Sequence, residues 1–258
     1  MSNLIRYYSR DIFLRIFGSF SRFTPGVFIL NSHFVSRVYP DYEMFCEFLE
    51  FLKKHCEFVR IEESIVHIEN KIDTADCLVS FTYDDGFKEC HSIIAPALEE
   101  FNTNAAFFIS GGFINGNDCY RENFSNNILK VKDKTPMSWS EIKDLNDRGH
   151  IIGSHTLNHI NMNCSDYKLI DFQLRENKRL IESCTSCPCE YFAFPFGEFN
   201  HINNETLTLA EKYHKYIFSG TNYRNYYSFE NRVFNRRHIE SDWPKSHIKY
   251  FLSIKRKY

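Results

Sequence analysis

No stretch of this sequence approaches the ~20 consecutive apolar residues that a bilayer-spanning helix requires. A secretory signal is missing as well. Such a signal needs about seven or more unbroken apolar residues. In MSNLIRYYSRDIFLRIFGSFSRF, residues Arg6, Arg10, Asp11, Arg15 and Arg22 interrupt every apolar run. The expectation is a cytoplasmic protein. Charge of one sign is also lacking: a formal net charge of -2 over 258 residues provides no global basic field, so nucleic acid is not an expected partner. There are no repeats, low-complexity tracts or long linkers. Neither Gly-x-Gly-x-x-Gly nor Gly-x-x-x-x-Gly-Lys follows the first strand-like runs, which disfavours a nucleotide-binding sheet. The cysteines number nine, and without a secretory signal they read as reduced thiols in a cytosol-like compartment. Three of them, Cys184, Cys187 and Cys189, lie close together but lack an evident fourth ligand, so they read as free thiols in a loop.

What is present is ample apolar material: 43% hydrophobic and 17% aromatic residues, enough for one large domain. GVFILNS (26–32) and CLVSFTY (77–83) are continuous apolar runs, as expected of buried parallel strands. Residues 105–110, 150–154, 190–196 and 215–220 read as further strands. Helical spacing marks 41–55, 91–101 (bent or shortened by Pro96), 138–149, 165–184 and 203–214. Ser138 and Glu141 have capping-box spacing, Gly149 closes that helix, and Ser165 is the expected N-cap of the next. This alternation predicts an α/β fold with a mainly parallel sheet; an open sheet and a barrel both fit, and the barrel is the better fit without a nucleotide fingerprint. Residues 111–136 read as a surface excursion or lid. The first 23 residues carry four Arg and one Asp and form a basic amphipathic helix, and the tail KSHIKYFLSIKRKY is similar. Each is expected to pack its apolar face on the domain, the alternative being peripheral contact with an anionic membrane face.

Three stretches carry chemistry. The first, LVSFTYDDGF, places Asp84 and Asp85 side by side at the end of a strand. In parallel α/β folds that end faces the active site, and two neighbouring carboxylates in low dielectric need compensation. A metal ion would supply it; a helix cap plus a solvated neighbour is the ordinary alternative. In HIIGSHTLNH, His155 and His159 are four apart, within reach of one metal on one side of a helical turn. Two imidazoles and a carboxylate suit a divalent metal with positions left open. In YFAFPFGEFN, a strand ends in the turn Pro195-Phe196-Gly197, where the Phe196 N–H is available to a ligand.

In this order and at these intervals, Thr82-Tyr83-Asp84-Asp85-Gly86, His155-Thr156-Leu157-Asn158-His159 and Phe194-Pro195-Phe196-Gly197 resemble the motifs of the polysaccharide deacetylases. These are the nodulation-type deacetylase homology domains, grouped with the carbohydrate esterases. The resemblance extends over about residues 26–243, with an amphipathic segment at 1–25 and a basic tail at 244–258. It implies a distorted (β/α)7-type barrel, a single domain, and a metal-dependent hydrolase acting on an N-acetylated sugar or glycan, in surface-polysaccharide biosynthesis. By position, Asp85, His155 and His159 would hold the metal, with zinc expected. Asp84 would be the general base, the Phe196 N–H would stabilise the oxyanion, and Tyr83, Pro195 and Phe196 would meet substrate.

The match departs from the family pattern in two places. Ala193 stands where many members have the arginine that pairs with the base, as in the Ala-Tyr-Pro-Phe-Gly branch. Arg237, in NRRHIESDW, is the expected replacement. The late Leu-x-His motif that supplies a general acid is missing: KYIFSG occupies that strand, and His214 and His238 do not match. These departures suggest the alternative of a catalytically silent carbohydrate-binding relative, against which the retained Asp84 argues. An iron oxygenase shares the two-His, one-carboxylate set but not this alternation of strands and helices.

Overall fold

Buried parallel strands alternate with amphipathic helices in the computed structural model, which describes residues 3–37, 39–132, 134–220 and 222–258. In chain order, α1 is Asn3–Phe20, β1 Gly26–Ser32, α2 Tyr42–Lys53, β2 Glu57–Phe58, α3 Ile61–Glu69 and β3 Cys77–Tyr83. Then come α4 Ala95–Glu100, β4 Ala105–Ile109, α5 Gly111–Asn115, α6 Asp118–Asn123, α7 Trp139–Asp147, β5 Ile151–Ser154 and α8 Tyr167–Thr185. The chain ends with β6 Tyr191–Ala193, α9 Asn204–Tyr213, β7 Tyr216–Ser219, β8 Tyr227–Ser228, β9 Val233–Asn235, β10 Arg237–His238 and α10 Lys245–Leu252.

Strands β1, β3, β4, β5, β6 and β7 lie side by side and parallel. β9 pairs with β7 at one edge, and β10 pairs with β1 at the other. Only Arg236 separates β9 from β10 in the chain. One extended segment therefore binds both edges and curls the sheet into the expected distorted barrel of α/β type. β2 adds to β3 from outside, and β8 is antiparallel to β9.

Side chains alternate across the strands, as the pleat requires. Val27, Ile29 and Leu78 join Ala106, Phe108, Ala193 and Phe218 in one apolar cluster. Phe28, Leu30, Val79, Phe81 and Tyr83 face the other way, into the layer formed with α2, α4, α7 and α10. Helix α3, which carries no strand-end chemistry, contributes Ile61, Ile65 and Ile68 to the first cluster. Its first turn is tied to the N-terminal ends of β4 and β5: the Ile61 N–H donates to Asn104 Oδ1 at 3.1 Å and Arg60 to the Gly149 carbonyl at 2.9 Å. α3 thus plugs the end of the barrel opposite the strand carboxyl ends.

Local signals act as their chemistry dictates. Ser138 and Glu141 form a reciprocal capping box on α7, and Gly149 follows with φ +89°. Pro96 stands at the start of α4, preceded by a π-turn at Cys90–Ile94. The cap of α8 is Asp166 rather than Ser165; it accepts from the Leu169 N–H at 3.0 Å. Residues 111–136, of which Asp133 lies outside the described residues, are the expected surface excursion. They form α5, α6 and a π-turn, pinned by Phe113 and Phe124, which stack at 4.6 Å and are fully buried. All nine cysteines, including Cys184, Cys187 and Cys189, are free thiols. No described helix is long and apolar enough to cross a membrane.

Of the two terminal helices, α10 packs as expected and α1 does not. α10 buries Ile248, Phe251 and Leu252. α1 packs against α10 but, among the residues whose burial is described, buries Leu14 and Gly18 and leaves Ile12, Phe13, Ile16, Phe17 and Phe20 exposed. Met1 and Ser2 lie outside the described residues.

Candidate active site

Alternation along β3 sends Thr82 and Asp84 inward and Tyr83 outward. Asp84 is held by its N–H, which donates to the Ser32 carbonyl at 3.0 Å. The chain then turns sharply, with Asp85 at φ +74° and Gly86 at +87°. After β5, the His155 N–H donates to the Ile109 carbonyl at 3.0 Å, and its ring Nδ1 lies 2.8 Å from the Ala193 carbonyl. The segment to His159 is a loop, not a helical turn: Thr156 (φ +60°) and His159 (φ +50°) are left-handed. Phe196 is left-handed too, at +63°. Non-glycine residues with positive φ are uncommon and cost energy, and four of them fall within the three motifs.

Helix α8 props this strained loop. Buried Asn177 donates to the Ile109 carbonyl (2.7 Å) and Ser154 Oγ (2.8 Å), and accepts from the Gly111 N–H (2.7 Å). Gln173 Oε1 accepts from the Asn158 N–H at 2.8 Å. A side chain at Gly112 would strike the Leu157 carbonyl at 2.6 Å, so glycine permits the close approach there.

The structure brings Asp85, His155 and His159 together. His155 Nε2 is 3.6 Å and His159 Nε2 3.4 Å from the same oxygen, Asp85 Oδ1. Their potential ligand atoms all lie within 4.8 Å of one another. Burial lowers the His155 pKa to about 4, against the pull of Asp84, and lowers that of His159 as well. Burial, helped by the Asp84 charge, raises Asp85 to about 7. With the His155 Nδ1–H turned to the Ala193 carbonyl, its Nε2 lone pair faces a carboxylate oxygen that has no hydrogen-bond donor. Acceptor facing acceptor in a buried site is what a cation relieves, so these residues fit a divalent metal, and the backbone bond to Nδ1 would orient the ring for it.

Asp84 is paired with Arg236. The guanidinium grips both carboxylate oxygens, at 2.7 and 2.8 Å, and donates to Thr82 Oγ1 (3.1 Å) and the Ser219 carbonyl (3.2 Å). Burial works against ionisation of Asp84, but Arg236 overrides it and holds the carboxyl far below its usual range. This corrects the expectation for Arg237. Successive residues of the extended closing segment point to opposite sides, so Arg237 turns away, between the rings of Phe28 and Tyr223 at 5.1 and 5.3 Å, and donates to the Tyr223 carbonyl.

The same closing segment brings a group the sequence left without a role. Register between β1 and β10 sets His33, just past β1, beside Glu240. Glu240 Oε1 is 3.7 Å from His33 Nδ1 and 3.2 Å from His238 Nε2, and its other oxygen accepts from Ser32 Oγ. Burial alone would lower the His33 pKa; the Glu240 carboxylate beside it, with the charges of Asp85 and Asp84, instead raises it to about 9. The run LNSHFVS placed this histidine at a strand end, the one sequence signal that could have marked it.

A cavity of about 410 Å³ opens over these groups, lined by Asn31, His33, Asp84, Phe196, Gly197, Glu198, Gly220, Tyr223, Arg236 and His238. Phe196 is 47% exposed, its ring 4.6 Å from that of His159. Two expected substrate contacts are corrected. Tyr83 is buried in the outer layer against Phe107, and Pro195 is buried behind the turn; neither lines the cavity.

Comparison with known proteins places the chain in a family and a fold. The family model "Polysaccharide deacetylase" matches residues 71–216, more than half of the chain. The Bacillus subtilis (strain 168) protein named "Putative polysaccharide deacetylase YxkH" is 22% identical over 151 residues, 58% of this chain and 47% of that protein. The chain thus spans about half the length of this curated relative. Streptococcus pyogenes deacetylase PplD, solved in complex with acetate, superposes with TM-score 0.68 at 17% identity, over 89% of this chain and 99% of that one. IcaB from Ammonifex degensii gives 0.68 at 18%, over 90% and 99%. At such identities the structures speak for the fold, and the family match speaks for descent: the chain belongs to the polysaccharide deacetylase family.

Proposed function

We propose that this protein hydrolyses the N-acetyl group of a glycan or lipid-linked amino sugar, releasing acetate and a free amine. In this reading residues 26–243 are the catalytic domain, and the activity serves surface-polysaccharide biosynthesis. The observation that carries it is Asp84: an ionised carboxylate, clamped by Arg236 on the cavity wall, next in the chain to Asp85 and its two histidines. Asp85, His155 and His159 would hold the divalent cation, zinc first; when bound it supplies Lewis acidity toward water and the acetyl carbonyl.

The remaining steps belong to this chain's own groups. Asp84 accepts a proton from the attacking water, and the two-point grip of Arg236 fixes which lone pairs face the cavity. The Phe196 N–H, presented by its left-handed turn, donates to the carbonyl oxygen as negative charge builds there. His33, kept protonated by Glu240, gives its proton to the nitrogen as the carbon–nitrogen bond breaks, so a neutral amine leaves. Phe196 offers an apolar face to the sugar, and Asn31, Glu198 and Tyr223 line the cavity around it.

The test is acetate release from a panel of N-acetylated and O-acetylated sugars, before and after chelation and with metal added back. Release from N-acetylated sugars that chelation abolishes and zinc restores is expected. Glycan binding without release, with the cation bound, would make the protein a silent carbohydrate-binding relative.

A further inference from the structure

The outward side of α1 has no role in the barrel or its cavity. Ile12, Phe13, Ile16, Phe17 and Phe20 recur at helical spacing and form one stripe, with Phe20 84%, Ile12 56%, Phe17 54% and Ile16 53% exposed. Single exposed apolar residues are ordinary, but five on one helix face are not.

The helix cannot roll to bury them. Gly18 lies so close to α10 that a Cβ there would sit 1.9 Å from the Ser246 carbonyl oxygen. Leu14 is buried beside it, and Asp11 pairs with His247 of α10 at 3.3 Å. Packing on α10 therefore fixes the stripe facing outward.

We infer that this face of α1 docks the protein onto an anionic bilayer surface. Charge supplies the argument. In a chain of net charge -2, residues 1–25 hold four Arg against one Asp, and residues 245–258 hold Lys245, Lys249, Lys255 and Lys257 outside the core, with Arg256 buried on backbone carbonyls, and no acidic residue. Arg10 and Arg15 flank the stripe and are both exposed. Apolar side chains between flanking arginines suit the boundary of lipid headgroups and acyl chains, where the rings leave water while the guanidinium groups meet phosphate. The same charges disfavour a second copy as the cover, because a two-fold interface would set each patch of arginines against its own image.

The experiment is sedimentation of the full chain with vesicles of mixed phosphatidylglycerol and phosphatidylcholine, against phosphatidylcholine alone. Binding to the anionic vesicles only, weakened by salt, is expected. Arg10→Gln and Arg15→Gln should each weaken it about fivefold, and Ile16→Glu with Phe20→Glu should abolish it. Circular dichroism checks that the variants stay folded; loss of binding by an unfolded variant is set aside in favour of the arginine pair. Equal binding to neutral vesicles, or no binding, overturns the proposal. So does a concentration-dependent dimer in analytical ultracentrifugation that Ile16→Glu dissolves, which would assign the face to a second copy. No substrate enters these measurements, so their outcome is independent of the deacetylase reading.

Discussion

The two ends of the barrel are built from opposite materials. At the end plugged by α3, Val27, Ile29, Leu78, Ile61, Ile65 and Ile68 pack together, and the buried hydroxyls of Ser64 and Ser80 satisfy each other at 2.8 Å. At the other end, the same strands finish in Asn31, Thr82, Asp84, Asp85 and His155, all buried and all polar. The left-handed residues Asp85, Thr156, His159 and Phe196 are also gathered there. A buried polar group costs free energy unless it is paired, and a strained backbone persists only when its surroundings hold it. The apolar end provides the stability that lets the polar end exist, and changes at the two ends should separate stability from activity.

The sharpest break is Asp84→Asn. Loss of the general base should lower kcat by about 10²–10⁴-fold, and equilibrium metal binding should be retained. Full turnover with metal bound would remove Asp84 from the mechanism.

The next variants contrast two neighbours. Arg236→Met leaves the buried Asp84 carboxylate unpaired, a loss of about 3–5 kcal/mol in denaturant unfolding together with loss of turnover. Arg237→Met replaces a guanidinium held between aromatic rings, and should leave kcat unchanged. Equal effects at the two positions would contradict the alternation that separates them.

At the opposite end, Ile65→Ala should cost about 2–5 kcal/mol in the same unfolding measurement. Activity per folded molecule should stay at the wild-type level. A fall in kcat would show that the plug and the catalytic end are coupled.

The smallest expected effect is a pH dependence from His33. Its folded pKa of about 9 lies above the unfolded value, so its contribution to stability is full below about 6.5 and is lost as pH rises through about 9. Thermal melts across this range should fall by more in the wild type than in His33→Gln. The alkaline limb of kcat should lie near the same pH and disappear in that variant. An identical pH profile in both would leave His33 without a charge at neutral pH.

Much of this architecture could be read from residue order. Apolar runs such as CLVSFTY, punctuated by helices with Ser138 or Asn203 at their caps, define parallel strands and crossover helices through local propensity and burial. The closing segment, NRVFNRRHIE, was not legible as a strand. It is short and charged, and its pairing with both β7 and β1 depends on contacts distant in sequence. For the same reason residue order points to Arg237, one position past the arginine that meets Asp84. α3 is not legible as a plug either, since that role exists only once the barrel has curled around it.

Sequence alone determined which chemical groups stand at the strand ends: paired aspartates, two histidines four apart and a proline-anchored turn, because strand and turn propensities act over neighbouring residues. Only tertiary structure decided which of two adjacent arginines meets Asp84, that Glu240 charges His33, and that the apolar stripe of α1 faces outward. Each of those outcomes depends on the direction of a side chain, which is set by pairing with residues up to 236 positions away, as between Asp11 and His247.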